Sequence, residues 1–313
     1  MNNKITTRRF KNFITYDLWK TIIVTVVVVY SMILLLQIIS PKPSYGQKVT
    51  LLVDDAVNVS DEGLDLLESI NDTDIEEYGF SYEVLDTSAL KIKKGDYSSS
   101  YMLNMYEESC FNDVFVSADV TTGKYSLFDN YIANNYGVDL IEYINDSLEY
   151  CKRFFNSSGT INKQEVSEYF YETRSKDARF RKDSAYIQGV EDECRRIIAI
   201  KNNALKLQNL FQTNPDIFYY KELTFDDENT RETKTVKGYY GIHLGKLEEF
   251  CRKDKNIKNV YSRVVENEDG SSYITSDKVI LSISDNKKES GDLHYEGLTV
   301  LTYFIYNYTT LLD

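Results

Sequence analysis

The stretch DLWKTIIVTVVVVYSMILLLQIISPKP, residues 17–43, decides how the rest of the chain is interpreted. Its apolar part, residues 21–39, contains no charged side chain. An α-helix of that length would span roughly 28 Å, close to the thickness of the hydrocarbon core of a bilayer. Because lipid offers the backbone no hydrogen bonds, even a run rich in Val and Ile becomes helical there. The sequence therefore predicts a transmembrane helix over residues 21–39.

A cleaved signal peptide is the alternative interpretation of this stretch. Signal peptides have an apolar region of about 7–15 residues, followed by small residues at the cleavage site. The run here is longer, and the QIISPKPSYG that follows has no A-x-A pattern. No cysteine precedes Cys110, which excludes a lipid-modified cysteine directly after the run. We therefore expect an uncleaved signal-anchor, with Tyr16, Trp19 and Lys20 at the membrane interface.

The charges on the two sides of the anchor predict its orientation. Residues 1–20 carry five basic side chains against one acidic side chain, a net charge of +4. The whole chain carries −13, so residues 21–313 carry −17. Basic flanks stay in the cytoplasm, so residues 1–20 are predicted to form a cytoplasmic tail. Residues 40–47 then form a linker, and the domain after it lies outside the cytoplasm, attached to the cell membrane.

The composition of the larger segment excludes some partners. Phosphate groups of nucleic acid need Lys and Arg side chains, and a segment with a net charge of −17 has no excess of them. Docking on anionic lipid is disfavoured for the same reason. With 42% hydrophobic and 27% charged residues, the chain has the composition of a folded protein. We therefore expect a globular domain that does not bind nucleic acid.

Cysteine and histidine usage argues against a metal site. The two histidines do not stand at ligand spacing, and the cysteines form no C-x-x-C pair. An even number of cysteines outside the cytoplasm permits one or two disulfides. All four nevertheless fall within amphipathic helical patterns, which suit small buried thiols. We expect free buried thiols, no metal and no cofactor. The four residues are Cys110, Cys151, Cys194 and Cys251.

The first half of the segment alternates between strands and helices. VTLLVDD at 49–55, FSYEVLD at 80–86 and DVFVSAD at 113–119 are predicted strands. EGLDLLESI, SYMLNMYEES and VDLIEYINDSLEYC are predicted helices that follow them in turn. Such alternation is typical of an α/β fold with a mainly parallel sheet. We assign this pattern to a first α/β lobe over residues 48–155.

The second half, residues 156–313, is predicted to be a helical and α/β lobe. A long helix over about 179–211 carries an apolar stripe at three-and-four spacing, which predicts a core face. VKGYYGIHLG, at 236–245, is a predicted strand, and KLEEFCRK a short helix. Asp269-Gly270 between two apolar runs predicts a hairpin rather than a calcium loop. The densely apolar end, 292–312, predicts a buried helix rather than a second span. The stripe consists of Ile187, Val190, Cys194, Ile197, Ile198 and Leu205.

Candidate ligand-binding residues follow from the predicted strands. In open α/β sheets, ligands bind outside the carboxyl ends of the strands. Asp54 and Asp55 follow the first strand, and Ser117 and Asp119 close the third. Their oxygens could accept hydrogen bonds from hydroxyl groups or an amine. The alternative is that they cap the following helices, which Asp and Ser do routinely.

No catalytic motif occurs in the chain. Walker loops, G-x-G-x-x-G, H-E-x-x-H and G-x-S-x-G are all missing from the sequence. With two histidines, general base chemistry would fall to carboxylates, and each pair among 49 acidic residues is more often a solvated surface. A carboxylate-based hydrolase is therefore the third hypothesis, and we expect a protein that is not an enzyme.

Three stretches carry a resemblance to known families. RRFKNFITYDLWKTIIV resembles the N-terminus of membrane-anchored proteins of Firmicutes. DVFVSAD with LFDNYIANNYGVDL, including Gly137 and Leu140, is similar to the first lobe of extracytoplasmic solute-binding proteins of ABC importers. KVILSISDNKKESGDLHYEGLTVLTYFIYNY resembles their late strand, loop and closing helix. The resemblance implies a two-lobed fold, an importer permease as a partner and a small solute as a ligand.

Two hypotheses of function follow. The first is a membrane-anchored, solute-binding-like module, accessory to an ABC importer. The second is a cell-envelope interaction or scaffold protein without a small-molecule ligand. A cleft between two lobes lined by Tyr and Asp would favour the first, and an exposed apolar patch would favour the second.

Overall fold

The chain forms two compact units, Met1–Lys42 and Pro43–Asp313. The computed structural model describes most of both units. The described residues are 18–39, 49–69, 85–92, 114–120, 126–177, 180–227, 231–251, 259–284 and 295–312, together with Thr7, Thr15 and Leu103.

The first unit contains one long apolar helix, α1, over Leu18–Ile39. Within it, Leu18–Leu36 is long and apolar enough to cross a membrane, and none of that window is buried by the chain. The hydroxyl of Thr25 donates to the carbonyl of Thr21 at 2.8 Å, so this polar group is satisfied inside the helix. The helix starts three residues before the predicted span. Tyr16 lies outside the described residues.

The second unit contains nine described strands and seven described helices. The strands are β1 Val49–Asp54, β2 Asn58–Val59, β3 Leu85–Ile92, β4 Val114–Ala118, β5 Phe218–Asp226, β6 Thr233–His243, β7 Tyr261–Glu266, β8 Ser272–Thr275 and β9 Val279–Ile283. The helices are α2 Asp61–Ser69, α3 Leu127–Ala133, α4 Leu140–Lys152, α5 Lys163–Arg174, α6 Asp183–Thr213, α7 Leu244–Cys251 and α8 Glu296–Leu312.

These strands form two sheets. The larger has the order β3-β1-β4-β9-β6-β5, and the smaller has the order β2-β7-β8. Only β1 with β3 and β1 with β4 pair in parallel, whereas β4–β9, β9–β6 and β6–β5 are antiparallel. The expectation of a mainly parallel sheet is therefore wrong for the half that contains β9, β6 and β5. A short connection joins β5 to β6, and such a connection permits only an antiparallel pair.

The structure gives no evidence for the two-lobed, solute-binding-protein-like fold. The proposed boundary at residues 155/156 would place β1, β3 and β4 in one lobe and β5, β6 and β9 in the other. All six strands instead pair in a single sheet, in which β4 lies directly beside β9. The fold shown is a mixed α/β unit, with strands from both halves of the sequence in one layer.

Helices pack against both faces of the larger sheet. Successive residues of a strand point to opposite faces, so Val116 belongs to one core and Phe115 to another. The larger core contains side chains of α4, α6 and α8. The smaller core includes Phe128 and Tyr131 of α3. The terminal helix α8 is buried, as predicted, with Leu298 and other apolar side chains in the larger core.

The apolar stripe expected on the long helix is only partly correct. Cys194 and Ile197 are buried, but Ile187, Ile198 and Leu205 are exposed. The buried face is instead centred on other residues, and it includes a charged pair that the apolar pattern did not show. Glu193 accepts from Arg196 at 2.9 Å and 2.6 Å, and both side chains are buried.

Other sequence-based expectations are met within the described residues. The strands at VTLLVDD and DVFVSAD, and the hairpin around Asp269-Gly270, are present. Of the strand expected at 80–86, residues 85 and 86 are the start of β3, Leu85–Ile92, and residues 80–84 fall outside the described residues. Three cysteines, Cys151, Cys194 and Cys251, are free and buried, as expected. Cys110 lies outside the described residues, as does the predicted helix SYMLNMYEES, apart from Leu103.

Candidate functional site

The structure places the predicted ligand-binding residues at the carboxyl ends of β1 and β4, but in different surroundings. Asp54 is buried, and its carboxylate accepts from the backbone N–H of Ala56 at 2.9 Å and of Ala118 at 3.3 Å. It therefore ties the end of β1 to the end of β4 and caps no described helix. Asp55 is exposed. Ser117 is fully buried, and its hydroxyl has no hydrogen-bond partner among the described residues.

Asp119 is the predicted residue that lies in a cluster of functional groups. Lys221 Nζ lies 2.9 Å from its Oδ1 and 2.7 Å from its Oδ2. The hydroxyl of Tyr219 donates to Oδ2 at 2.6 Å, and that of Ser126 donates to Oδ1 at 3.2 Å. Lys221 also contacts a second carboxylate, with its Nζ 2.8 Å from Asp129 Oδ1. These five residues are called the polar cluster below.

The fold brings the polar cluster together from three separate elements. Asp119 follows the end of β4, and Tyr219 and Lys221 alternate along the first half of β5 on the face of the smaller core. Ser126 and Asp129 form a capping box at the start of α3: Ser126 N–H donates to Asp129 at 2.8 Å, and Asp129 N–H donates to Ser126 Oγ at 3.0 Å. The cap holds Ser126 against Asp119 and Asp129 against Lys221.

Burial and charge act in opposite directions on these groups. Burial alone would raise the pKa of Asp119, but the Lys221 ammonium and the Tyr219 and Ser126 hydroxyls outweigh it and hold that pKa below its usual value. Burial would lower the pKa of Lys221, but its two carboxylate partners raise it. Burial and the neighbouring Asp119 raise the pKa of Tyr219. At neutral pH the cluster is therefore an ion pair with a protonated phenol.

A histidine lies beside the cluster. The rings of Tyr219 and His243 are 5.7 Å apart between centroids. His243 Nδ1 accepts from the backbone N–H of Lys246 at 3.2 Å, which puts the imidazole proton on Nε2, 3.4 Å from Asp277 Oδ1. Burial lowers the pKa of His243, and Asp277 opposes that shift only in part. The imidazole is therefore neutral at neutral pH.

The arrangement of the polar cluster limits what it can do chemically. Each oxygen of Asp119 accepts two donors from the chain itself, so no acceptor capacity is left for a ligand. Lys221 is likewise engaged by two carboxylates. Among the described residues, no group of three or more His, Cys, Asp or Glu side chains could hold a metal ion. As folded, the cluster joins β4, β5 and α3, and we find no open acceptor in it for a solute.

The second candidate surface is the distal part of the β7–β8 hairpin. β2 pairs only with Ser262 and Tyr261, so no described strand borders residues 263–266 on that side. Residues 266–274 are all exposed. Val264, Tyr273 and Ile274 are 49%, 51% and 58% exposed, which is unusual for apolar side chains in a sheet. Residues 263–275 are called the exposed hairpin below.

Local interactions make this hairpin well defined. Its turn is closed by Asn267 N–H donating to the carbonyl of Ser271 at 2.8 Å. Asp269 accepts from the N–H of Ser271 at 2.8 Å, and Gly270 has φ +81°, a backbone conformation that glycine adopts without strain. At the base, Arg263 donates to the carbonyl of Asp277 at 2.7 Å. The exposed apolar side chains therefore stand on an ordered scaffold.

A third surface runs along α6, where Ile198 and Leu205 line an open groove. Both cations that line it are engaged, because Arg195 pairs with Asp192 at 3.2 Å and Lys206 Nζ lies 5.4 Å from the centroid of the Tyr306 ring. Nothing else in the described residues indicates an occupant for this groove.

Comparison with protein-family models, curated proteins and solved structures finds no match to this chain. Sequence reasoning identified Asp119 but missed its partners on β5 and α3, because neither element was predicted. The alternation of FYYKELTFD after Pro215 was the available signal for β5, and Ser126 three residues before Asp129 was the signal for the cap.

Proposed function

We propose that this chain is a membrane-anchored protein-interaction module of the cell envelope. In this proposal, residues 21–39 of α1 span the bilayer, residues 1–20 lie in the cytoplasm, and the second unit binds a partner protein on the other side. The observation that carries the proposal is the exposed hairpin, whose residues 266–274 are all exposed and include Tyr273 and Ile274.

Physical chemistry supports this use of the hairpin. Burying an apolar side chain contributes about 25 cal/mol per Å² of area removed from water, so a half-exposed Ile or Tyr leaves part of that free energy unused. Interfaces between proteins recover it, and their central contacts are enriched in Tyr. A hairpin held in shape by Asp269 and Arg263 requires little further ordering on binding.

The alternative of a solute-binding module stays a prediction. It was based on a resemblance and on four side chains, and the described contacts add no support to it. The carboxylate of Asp54 accepts from two backbone N–H groups, Ser117 is enclosed, and both oxygens of Asp119 are occupied by donors of the same chain. The absence of enzymatic activity and of nucleic-acid binding likewise stay predictions. An importer permease, suggested by the resemblance, is one protein that the proposed module could serve.

Cross-linking in intact cells of the native host tests the proposal. The full chain carries an affinity tag, and a membrane-impermeant cross-linker is added before purification. We expect one discrete adduct with a different protein, reduced in the variant Tyr273→Ser/Ile274→Ser. Tyr171→Ser is the matched control, because Tyr171 is at least as exposed as Tyr273 and Ile274 but lies on α5. The proposal is rejected when the adduct is absent or is equally strong in the hairpin variant.

Two further measurements complete the test. Protease added to intact cells should digest the second unit and leave residues 1–20 protected, and the reverse pattern would contradict the orientation. A thermal-shift screen of the full chain in detergent against sugars, amino acids and peptides addresses the alternative. A ligand at a hundred times its dissociation constant adds about 2.7 kcal/mol of stability, so a clear shift with a small solute would favour the solute-binding module.

A further inference from the structure

We infer that β8 is a docking edge to which the partner adds an extended segment carrying basic side chains. This inference rests on the proposed function and specifies the binding mode and the partner's chemistry. β8 lies at the end of the order β2-β7-β8, so one of its edges is unpaired among the described strands.

The ladder between β7 and β8 determines which backbone groups point outward. Asn267 and Ser271 form a hydrogen-bonded pair, and hydrogen-bonded and non-hydrogen-bonded pairs alternate along an antiparallel ladder. With Glu266 opposite Ser272 and Val264 opposite Ile274, these two pairs are the non-hydrogen-bonded ones. The N–H and C=O groups of Ser272 and Ile274 therefore point away from β7, toward the open edge.

The sequence of β8 places no charged residue, proline or bulge on this edge. Natural proteins usually block edge strands with charged side chains, prolines or bulges, because an open edge pairs with other chains. β8 reads SYIT, with no charge and no proline, and its pairing with β7 is regular over Arg263 to Glu266. An edge of this kind is the structural requirement for binding by strand addition.

Charge indicates what kind of strand would bind. Glu266, Glu268 and Asp269 lie at the distal end of the hairpin, all exposed. The one basic residue of the hairpin, Arg263, is at the base and is held by the Asp277 carbonyl. A partner strand with Lys or Arg side chains is therefore attracted. A second copy of this chain is disfavoured, because it would bring another acidic hairpin to the edge, in a protein with a net charge of −13.

Amide hydrogen exchange on the full chain in detergent micelles tests the edge directly. The probe is a capped octapeptide of alternating lysine and valine, and its matched control replaces each lysine by glutamate. We expect the lysine peptide to slow exchange at Ser272 and Ile274 by about tenfold at saturation, and the glutamate peptide to leave it unchanged. Equal protection by both peptides, or protection only elsewhere in the chain, overturns the inference.

Two sets of variants separate backbone pairing from charge. Ile274→Pro removes an N–H that points outward, so the bonds between β7 and β8 are retained, and we expect about tenfold weaker binding of the lysine peptide. Ile274→Val is its control and should bind normally. Glu266→Gln/Glu268→Gln changes only charge and should also weaken binding, whereas Glu165→Gln/Glu172→Gln, the same change on α5, should not. Normal binding by the hairpin glutamine variant overturns the inference, even where the proline variant fails to fold.

The same proline variant distinguishes failure of this inference from failure of the proposed function. In the intact-cell experiment, loss of the adduct in Ile274→Pro with retention in Ile274→Val supports strand addition. An adduct that survives Ile274→Pro but not Tyr273→Ser/Ile274→Ser leaves the proposed function standing and overturns the docking edge. Absence of any adduct in the unmodified chain rejects the proposed function itself.

Discussion

Lys221 Nζ lies 2.7 Å from Asp119 Oδ2, although 102 residues separate the two side chains in the sequence. The contact joins the end of β4 to β5, and the sheet itself keeps these strands apart by placing β9 and β6 between them. The same ammonium contacts Asp129 on α3. One cation therefore links three elements that share no backbone hydrogen bonds in the sheet.

Removing this cation should destabilise the domain strongly. In Lys221→Met, the carboxylates of Asp119 and Asp129 stay buried without their counter-charge, and we expect the free energy of unfolding to fall by about 3 kcal/mol. Urea denaturation of the full chain in detergent, followed by the near-ultraviolet circular dichroism of its tyrosines, measures the change. Lys246→Met is the control, because Lys246 and Glu249 form an exposed pair, and it should change stability by less than about 0.5 kcal/mol. Equal effects of the two variants would show that the polar cluster stabilises the domain no more than an exposed ion pair does.

Stability should fall on acidification in two stages. The lowered pKa of Asp119 means that its contribution is complete above about pH 5 and is lost as the pH falls through the folded pKa, because the unfolded carboxyl takes up a proton first. The lowered pKa of His243 also makes stability fall on acidification, but at higher pH. The unfolded imidazole gains its proton near pH 6.5, whereas the buried imidazole resists protonation.

Two variants assign these stages. His243→Gln should remove the loss that begins near about pH 6.5, and Asp119→Asn should flatten the loss below about pH 5, each in a protein of lower overall stability. Unfolding free energies measured across the acidic range in the native chain and both variants provide the test. An unchanged slope below about pH 5 in Asp119→Asn would contradict the assignment of that stage.

The buried pair on α6 should behave as a unit. Arg196→Met leaves Glu193 buried without its partner, and we expect a loss of about 3–5 kcal/mol in the free energy of unfolding. Glu193→Leu/Arg196→Met removes both charges and should recover most of that loss, because apolar side chains of similar volume suit the surrounding core. The comparison of single and double variants by urea denaturation is the measurement. Additive losses would indicate that the two side chains do not interact.

The buried cysteines should be unreactive in the folded chain. Burial raises the pKa of Cys151 and of Cys251 to about 11 and also raises that of Cys194, so little thiolate forms near neutral pH. Iodoacetamide labelling, read at each site by mass spectrometry, should modify these three residues only after denaturant is added. Rapid labelling of any of them in the native chain would show that the helix carrying it opens readily.

Much of the architecture could be predicted from local patterns. The long run without charged side chains predicted α1, the apolar runs predicted β1 and β4, and Asp269-Gly270 predicted the hairpin. Strand direction could not be predicted, because an apolar run has the same composition in a parallel and an antiparallel pair. The buried face of α6 was misplaced because Glu193 and Arg196 neutralise each other inside the core, which apolar periodicity does not register.

The candidate site was harder to predict than the fold. Asp119 was found because it follows a recognisable strand, but its partners Tyr219 and Lys221 come from sequence about a hundred residues away. Only the tertiary structure shows that the carboxylate already has a full set of donors. The exposure of the hairpin could not be predicted either, since Val264 and Ile274 are residue types that are usually buried in a core.

The position of β9 sets a condition on when this domain can exist. It is the last described strand to leave the ribosome, yet it sits in the middle of the larger sheet, between β4 and β6. Until β9 inserts, β3-β1-β4 and β6-β5 are two separate groups of strands. β4 and β6 then each have an unpaired edge, and no backbone hydrogen bonds join the two groups. Assembly of the larger sheet therefore requires nearly the whole chain. Any part of the domain that crosses a membrane during synthesis must cross before the sheet has formed. The pairs β4–β9 and β9–β6 then form only after β9 has crossed.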